Sequence, residues 1–322
     1  MSHWVEGRLD WSPLKVGDIA EVAALVDACA YLDDAMEVDQ GDELTELMLA
    51  ADDLSPNGVV GRDKTGTVVA WGWLRHEFDP EPQGWLHWGV HPAYRYQHIE
   101  KQTVRWLTAR ADQWRLTELD GRPLWVGAHA EAKMGTRMAA LEFNDYVDER
   151  WFCDLHVRLD DLALPPEQNP LQPPVRVVHF DRAAHSAATL AAHNQVFGPM
   201  RYASEVSEQE WEASLDSAAF RPEWSHVALD GDQVVGYALN SLADSGDWLE
   251  GWTHRIGVLP SHRRHGVGEA LLRASLADFT AAGLEYAGVG VDTEHPEDAL
   301  RLFTRLSYLR GDAVVLYGRV LA

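Results

Sequence analysis

Lysine is nearly missing from this 322-residue chain, which carries it only at Lys15, Lys64, Lys101 and Lys133. Cysteine is scarcer still, at Cys29 and Cys153 alone and with no CxxC pair, which argues against a disulfide framework and against a thiolate metal site. The histidines form no HExxH or similar ligand spacing, so no metal is expected. Long hydrophobic runs are also wanting. No stretch of 18 apolar residues occurs, and no basic-then-apolar leader follows the opening Met-Ser-His-Trp, so neither a membrane span nor a secretory signal is expected, and the cytoplasm is the default location. Positive charge is in deficit: 27 Lys and Arg face 51 Asp and Glu, a formal net charge of −24. That balance excludes nucleic acid and anionic membrane as expected partners, because both require basic patches that displace counterions. A cationic small molecule fits better, although acidity of this size also serves solubility.

What is present suffices for two ordinary globular domains, with 46% hydrophobic and 24% charged residues over this length. Residues 162–174, LALPPEQNPLQPP, concentrate proline at 165, 166, 170, 173 and 174. Fixed φ angles and missing amide donors predict an extended linker there. The flanking halves repeat one another. GVHPAYRYQHIEKQTVRWL from Gly89 has the layout of GVLPSHRRHGVGEALLRAS from Gly257, with Pro92 matching Pro260 and Arg95 matching Arg263. YVDERWFCDLHVRL from Tyr146 likewise parallels YLRGDAVVLYGRVL from Tyr308. Two copies of one α/β unit follow, with domains expected at 1–161 and 175–322.

In the second copy VRVVHF (175–180) reads as a strand and 181–196 as a helix. Ser207 and Glu210 form a capping box, and Asp230-Gly231 marks a hairpin. LEGWTHRIGV is a strand, followed by a helix carrying Leu272, Leu276 and Phe279 on one face and ending near Gly283. A strand EYAGVGV, a helix PEDALRLFTRL and a strand AVVLYGRVL complete the unit.

Between the first of those strands and its helix lies SHRRHGVGEALLR, residues 261–273. A helix N-terminus offers unpaired N–H groups and partial positive charge, and glycines at 266 and 268 let an anion approach the backbone. Arg263 and Arg264 add charge-assisted hydrogen bonds. The third glycine of a dinucleotide turn is absent, as is the lysine of a P-loop. The stretch resembles the GNAT superfamily of acetyltransferases, whose Q/R-x-x-G-x-G/A motif binds the pyrophosphate of acetyl-CoA after a V-x-P strand end. Arg263, Gly266 and Gly268 stand at the motif positions, Val258 and Pro260 at the strand end, and DTEHPEDALRLFTRLSY looks like the family's later segment.

That resemblance implies an α/β fold of mixed α+β character: two tandem GNAT-like domains, each a central mixed β-sheet flanked by helices. It implies acetyl-CoA as cosubstrate, bound by Ile256, Gly257, Val258, Arg263, Arg264, His265, Gly266, Val267, Gly268, His295 and Phe303, and transfer of acetyl to the amine of a small molecule. Phe303 stands where many members have the tyrosine that protonates the leaving thiolate, which leaves water or Tyr308 as donors. Side chains two apart share a strand face, so Glu250, Trp252, His254, Ile256 and Val258 should align, and Glu250 and His254 are the candidate bases. In the first copy His98 and Glu100 replace Gly266 and Gly268, putting side chains and a negative charge where pyrophosphate would lie. That copy is expected to be degenerate. A non-catalytic acyl-CoA-binding or scaffold role is the alternative expectation.

Overall fold

The computed structural model describes residues 9–33, 41–51, 54–78, 81–95, 98–160, 162–167, 170–198, 205–244, 249–293 and 296–322. In chain order the elements are β1 (Asp10–Pro13), α1 (Ile19–Asp33), α2 (Gly41–Ala50), α3 (Leu54–Asn57), β2 (Gly58–Arg62), β3 (Val68–Glu77) and β4 (Gln83–Val90). There follow α4 (Ile99–Glu118), β5 (Leu124–Glu131), α5 (Gly135–Phe143), β6 (Val147–Arg158), β7 (Arg176–His179), α6 (Arg182–Phe197) and α7 (Glu208–Leu215). The chain closes with β8 (His226–Asp230), β9 (Gln233–Asp244), β10 (Leu249–Val258), α8 (Val267–Ala281), β11 (Tyr286–Thr293), α9 (Pro296–Arg305) and β12 (Leu309–Leu321). No helix among the described residues is long and apolar enough to cross a membrane.

The chain forms two compact units, and the boundary does not fall where proline density puts it. One unit comprises Met1–Phe152, Asp292–Glu294 and Asp312–Ala322; the other comprises Cys153–Val291 and His295–Gly311. The last strand therefore serves the first unit. Residues Val314 to Leu321 of β12 pair antiparallel with Glu131 to Leu124 of β5, and Val315, Tyr317 and Leu321 join a core with Leu74, Trp88, Leu107 and Val126. Conversely Leu155 and Val157 of β6 share the second unit's core with Leu272, Leu276, Phe279 and Val289. The two tails carry the same alternating pattern, so either could complete either sheet; pairing decides, and periodicity does not see it. The proline segment belongs to the second unit, where Leu162, Leu164 and Leu171 pack on its core and the Pro165 carbonyl accepts a hydrogen bond from Arg273.

In the first unit neighbouring strands run β1-β2-β3-β4-β5-β12, and in the second β6-β11-β10-β9-β8-β7. Each is mixed: hairpins give antiparallel pairs at one side, while β4 with β5 and β10 with β11 are parallel, joined through α4 and α8 respectively. Local chemistry explains the helix starts. Asp181 accepts a hydrogen bond from the Ala184 N–H at 2.8 Å, and Ser207 and Glu210 form the reciprocal capping box. Behind α8, Phe279 lies fully buried where any Cβ on Gly251 would collide with its ring. Truncating Phe279 to alanine would cost about 3–5 kcal/mol.

Candidate active site

The second unit's site is built where two parallel strands part. Pairing of β10 with β11 ends at Thr253 opposite Val289, although β10 continues to Val258 and β11 to Thr293. Beyond that point, among the described residues, β10 is strand-paired only with β9. The Leu259 N–H donates to the Val235 carbonyl, so by alternation the Gly257 and Arg255 N–H groups also point to β9, and those of Ile256 and Val258 point into the opening. Two donors thus line one wall of a gap.

At the mouth of the gap the chain turns into α8. Gly266 caps the helix in the left-handed region at φ 82°, Arg264 precedes it at φ 64°, and no side chain caps the helix start. The first N–H groups of α8 are therefore available to an external acceptor. Val267 turns its side chain inward against Gly236, leaving its backbone to face outward. Gly268 is tight for another reason: a Cβ there would lie 3.3 Å from Leu302 of α9. Arg263 donates from Nε to the Val258 carbonyl at 3.1 Å and has no carboxylate partner among the described residues, so its guanidinium is an exposed cation. Arg264 and His265 are exposed and line a groove of about 480 Å³ with Pro170, Pro174 and Asp230. His295 lies outside the described residues. Phe303 is buried among Leu272, Leu276 and Phe279 and packs edge-on to Tyr308 at 5.6 Å, away from solvent.

The alignment of alternate residues along β10 does not hold. Between Thr253 and Arg255 the register against β9 slips, with His254 as the extra residue. Before the bulge Gly251 and Thr253 face α8: Gly251 abuts Phe279, and Asn240 opposite Thr253 donates to Ser275 of α8. After it Val258 faces α8, since its partner Gly236 abuts Val267 and Leu271, while Arg255 lies over the Trp211 ring of α7 at 4.9 Å. Glu250 and Trp252 therefore share a face with Arg255 and Gly257, and Ile256 and Val258 are on the other. One inserted residue reverses the sides of all that follow it.

Glu250 and His254, the two candidate bases, are not joined by a hydrogen bond among the described residues. Glu250 is 2% exposed. Its Oε2 is 3.2 Å from Nδ1 of His156, whose ring also leans on Trp252 at 5.8 Å. His156 lies on β6 within the second unit, so the carboxylate is met by an imidazole from a strand that sequence had given to the first domain. The alternation in CDLHVRL places His156 on one face with Asp154, but only the strand exchange brings it to Glu250. His254 is open to solvent at the bulge, and the protein around it, then the Arg255 cation, holds its pKa below the usual imidazole value. The Tyr308 hydroxyl is buried without a hydrogen-bond partner among the described residues, and burial, then the Glu250 charge, pushes its pKa well above the usual phenol range.

The first unit has the same opening, closed from within. Parallel pairing of β4 with β5 stops at Trp85 opposite Gly127, and β4 runs on to Val90. Arg137 spans the gap, donating from Nε to the His129 carbonyl at 2.9 Å and from Nη1 to the Trp88 carbonyl at 2.8 Å. The offset from Tyr146 to Tyr308 matches Arg137 to Ala299. Arg95 donates to the Val90 carbonyl at 3.3 Å, as Arg263 does to Val258, but Asp33 also grips it with two bonds of 2.5 Å. His98 caps α4 at φ 64°, and Glu100 sits in the helix's first turn accepting a hydrogen bond from Thr136. Burial raises the Glu100 pKa, opposed by the Thr136 hydrogen bond and by Arg95 and Arg137. The inner cavity lined by Cys29, Arg95, Glu100 and Arg137 is about 40 Å³, room for a few waters, while an outer groove of about 550 Å³ over the helix start is lined by Arg95, His98, Glu100 and Lys101.

The family model for the acetyltransferase (GNAT) domain matches residues 222–308, which span β8 to α9 and include the open turn. Over 282 residues the chain is 26% identical to a mycothiol acetyltransferase of Pseudarthrobacter chlorophenolicus, covering 86% of this chain and 81% of that one. Among solved structures it is similar to a GCN5-related N-acetyltransferase from Sphaerobacter thermophilus, at a TM-score of 0.60 and 20% identity, with 98% of this chain and 97% of that one covered. A tandem GNAT protein from the clavulanic acid biosynthesis pathway shares the fold at a TM-score of 0.50 and 17% identity, over 97% and 98% of the two chains. Residues 222–308 thus match the acetyltransferase (GNAT) domain, and the chain shares the fold of a tandem GNAT protein over nearly its full length.

Proposed function

We propose that the second unit transfers an acetyl group from acetyl-CoA to the amino group of a small, cationic molecule by direct attack on the thioester, and that the first unit takes up no CoA. The observation that carries this reading is the open strand gap leading to the uncapped N-terminus of α8, with the unpaired Arg263 beside it. The α8 N–H groups and Arg263 would hold the pyrophosphate. The Ile256 and Val258 N–H groups, pointing into the gap, suit the thioester carbonyl as charge builds on its oxygen.

The acceptor must arrive at the carbonyl as a neutral amine. Its nitrogen lone pair attacks the carbonyl carbon, the C–S bond breaks, and CoA leaves as a thiolate, which a thiol of pKa about 8.5 tolerates before water reprotonates it. The proton shed by nitrogen passes to Glu250, with His156 orienting the carboxylate and relaying the proton outward. Glu250 lies on the face opposite Val258, so the acceptor would approach from the α6–α7 side of β10 and the cofactor's turn from the α8 side. The acidic surface would favour a cationic acceptor.

The test is release of free thiol from acetyl-CoA against a panel of amines. The relatives named mycothiol acetyltransferases put amino-sugar thiols at its head, followed by polyamines, aminoglycosides and amino acids. Turnover with an amine that disappears in Glu250→Gln supports the reading; tight acetyl-CoA binding without turnover on any amine contradicts it.

A further inference from the structure

In the second unit, three side chains far apart in sequence meet on the α8 face of the β7–β8 edge. Antiparallel register sets His179 directly opposite His226, their ring centres 4.6 Å apart. Asp278, in the last turn of α8, brings one carboxylate oxygen to both rings: Oδ2 lies 3.1 Å from His226 Nε2 and 3.7 Å from His179 Nδ1. One donor atom from each residue falls within 4.8 Å of the others. Neither contact meets hydrogen-bond geometry, and the Asp278 Oδ2 atom is buried with no hydrogen-bond partner among the described residues. One carboxylate oxygen thus faces two imidazole nitrogens at ion-pair distance without a hydrogen bond to either, and a cation could be shared among the three.

We propose that His179, His226 and Asp278 bind one divalent first-row metal ion, for which zinc is the probe. Two imidazoles and one carboxylate are an ordinary zinc donor set, and bonds of about 2.0–2.2 Å in a tetrahedron place donors roughly 3.3–3.6 Å apart. The two separations from Asp278 Oδ2, 3.1 and 3.7 Å, bracket that spacing. His226 is 4% exposed. The His179 side chain is 64% exposed, which leaves an entry path and a fourth position for water. The ion would staple the edge strand β7 to the C-terminal end of α8. That end is about 17 Å along the helix from the Gly266 turn, so the site is separate from the acetyl-transfer chemistry.

Calorimetric titration of the full chain, stripped with chelator, with zinc chloride at pH 7.5 tests the site, alongside thermal melts. One zinc per chain and a higher Tm are expected. His179→Ala, at an exposed side chain, should leave the metal-free melt unchanged while weakening zinc binding by at least about tenfold and removing the Tm gain. Asp278→Asn should act in the same direction. No zinc binding, or binding and a Tm gain undiminished in both variants, would overturn the proposal.

Discussion

The two turns, one opening α4 and the other α8, show what a glycine at this position is for. Gly266 sits at φ 82° and His98 at φ 64°, so a residue with a side chain adopts the left-handed cap in the first unit. The backbone conformation alone therefore does not demand glycine, though a non-glycine residue there costs about 1–2 kcal/mol. What Gly266 supplies is a helix N-terminus with no side chain at its cap, while Gly268 lets α8 pack close to Leu302 of α9. In the first unit the cap is taken by His98 and the first turn by the Glu100 carboxylate, and the neighbouring arginine is held by Asp33. Arg137 then fills the strand gap itself. The same backbone thus presents an open anion site once and a self-satisfied one once.

Moving the first unit's residues into the second should have the largest effect. The double variant Gly266→His, Gly268→Glu is expected to raise the acetyl-CoA Kd by more than about 100-fold, because a carboxylate beside the pyrophosphate adds several kcal/mol of partly shielded repulsion. Calorimetry reads it. Next in size, Glu250→Gln should lower turnover by about 100- to 10,000-fold with acetyl-CoA affinity changed less than about threefold. His156→Ala should lower turnover by about tenfold through kcat with KM for acetyl-CoA unchanged, and His156→Gln should restore part of the loss. The reverse transplant is weaker: His98→Gly, Glu100→Gly and Arg137→Ala together should give the first unit measurable acetyl-CoA binding, whereas the two glycines without Arg137→Ala should not.

The smallest effect concerns pH. Burial raises the Glu100 pKa above its usual 4.5, so the stability it contributes is present below about pH 4.5 and lost as pH rises through its folded-state value. Glu100→Gln should therefore raise Tm at pH 7 by about 2–4 °C, with the gain fading toward pH 4.5. In the second unit His193, bonded to the Tyr237 hydroxyl at 2.7 Å, has the opposite sign: burial, with Arg255 nearby, pushes its pKa down from 6.5 to about 4. Its contribution is present above about pH 6.5 and lost as pH falls through about 4, and His193→Gln should flatten the melt across that window.

Much of this was legible in the residues. Periodicity, the Ser207 capping box and the Asp230-Gly231 turn located the elements of the second unit because each rests on contacts a few residues apart. The open turn was readable for the same reason, since its meaning lies in side chains that are missing. Three features were not. The exchange of β6 and β12 depends on which of two similarly patterned strands pairs with which sheet. The His254 bulge is a single inserted residue that leaves no compositional trace, yet it moves Ile256 and Val258 to the face away from Glu250. His156 and Arg137 act through partners about a hundred and about fifty residues away respectively, and no local pattern marks them.

The central claim is that one turn of two is open. Calorimetric titration of the full chain with acetyl-CoA tests it most directly: one site per chain, abolished by the double variant at Gly266 and Gly268 and unaffected by Glu100→Gln, is the result expected. Two sites per chain, or a single site that survives the double variant, would contradict it.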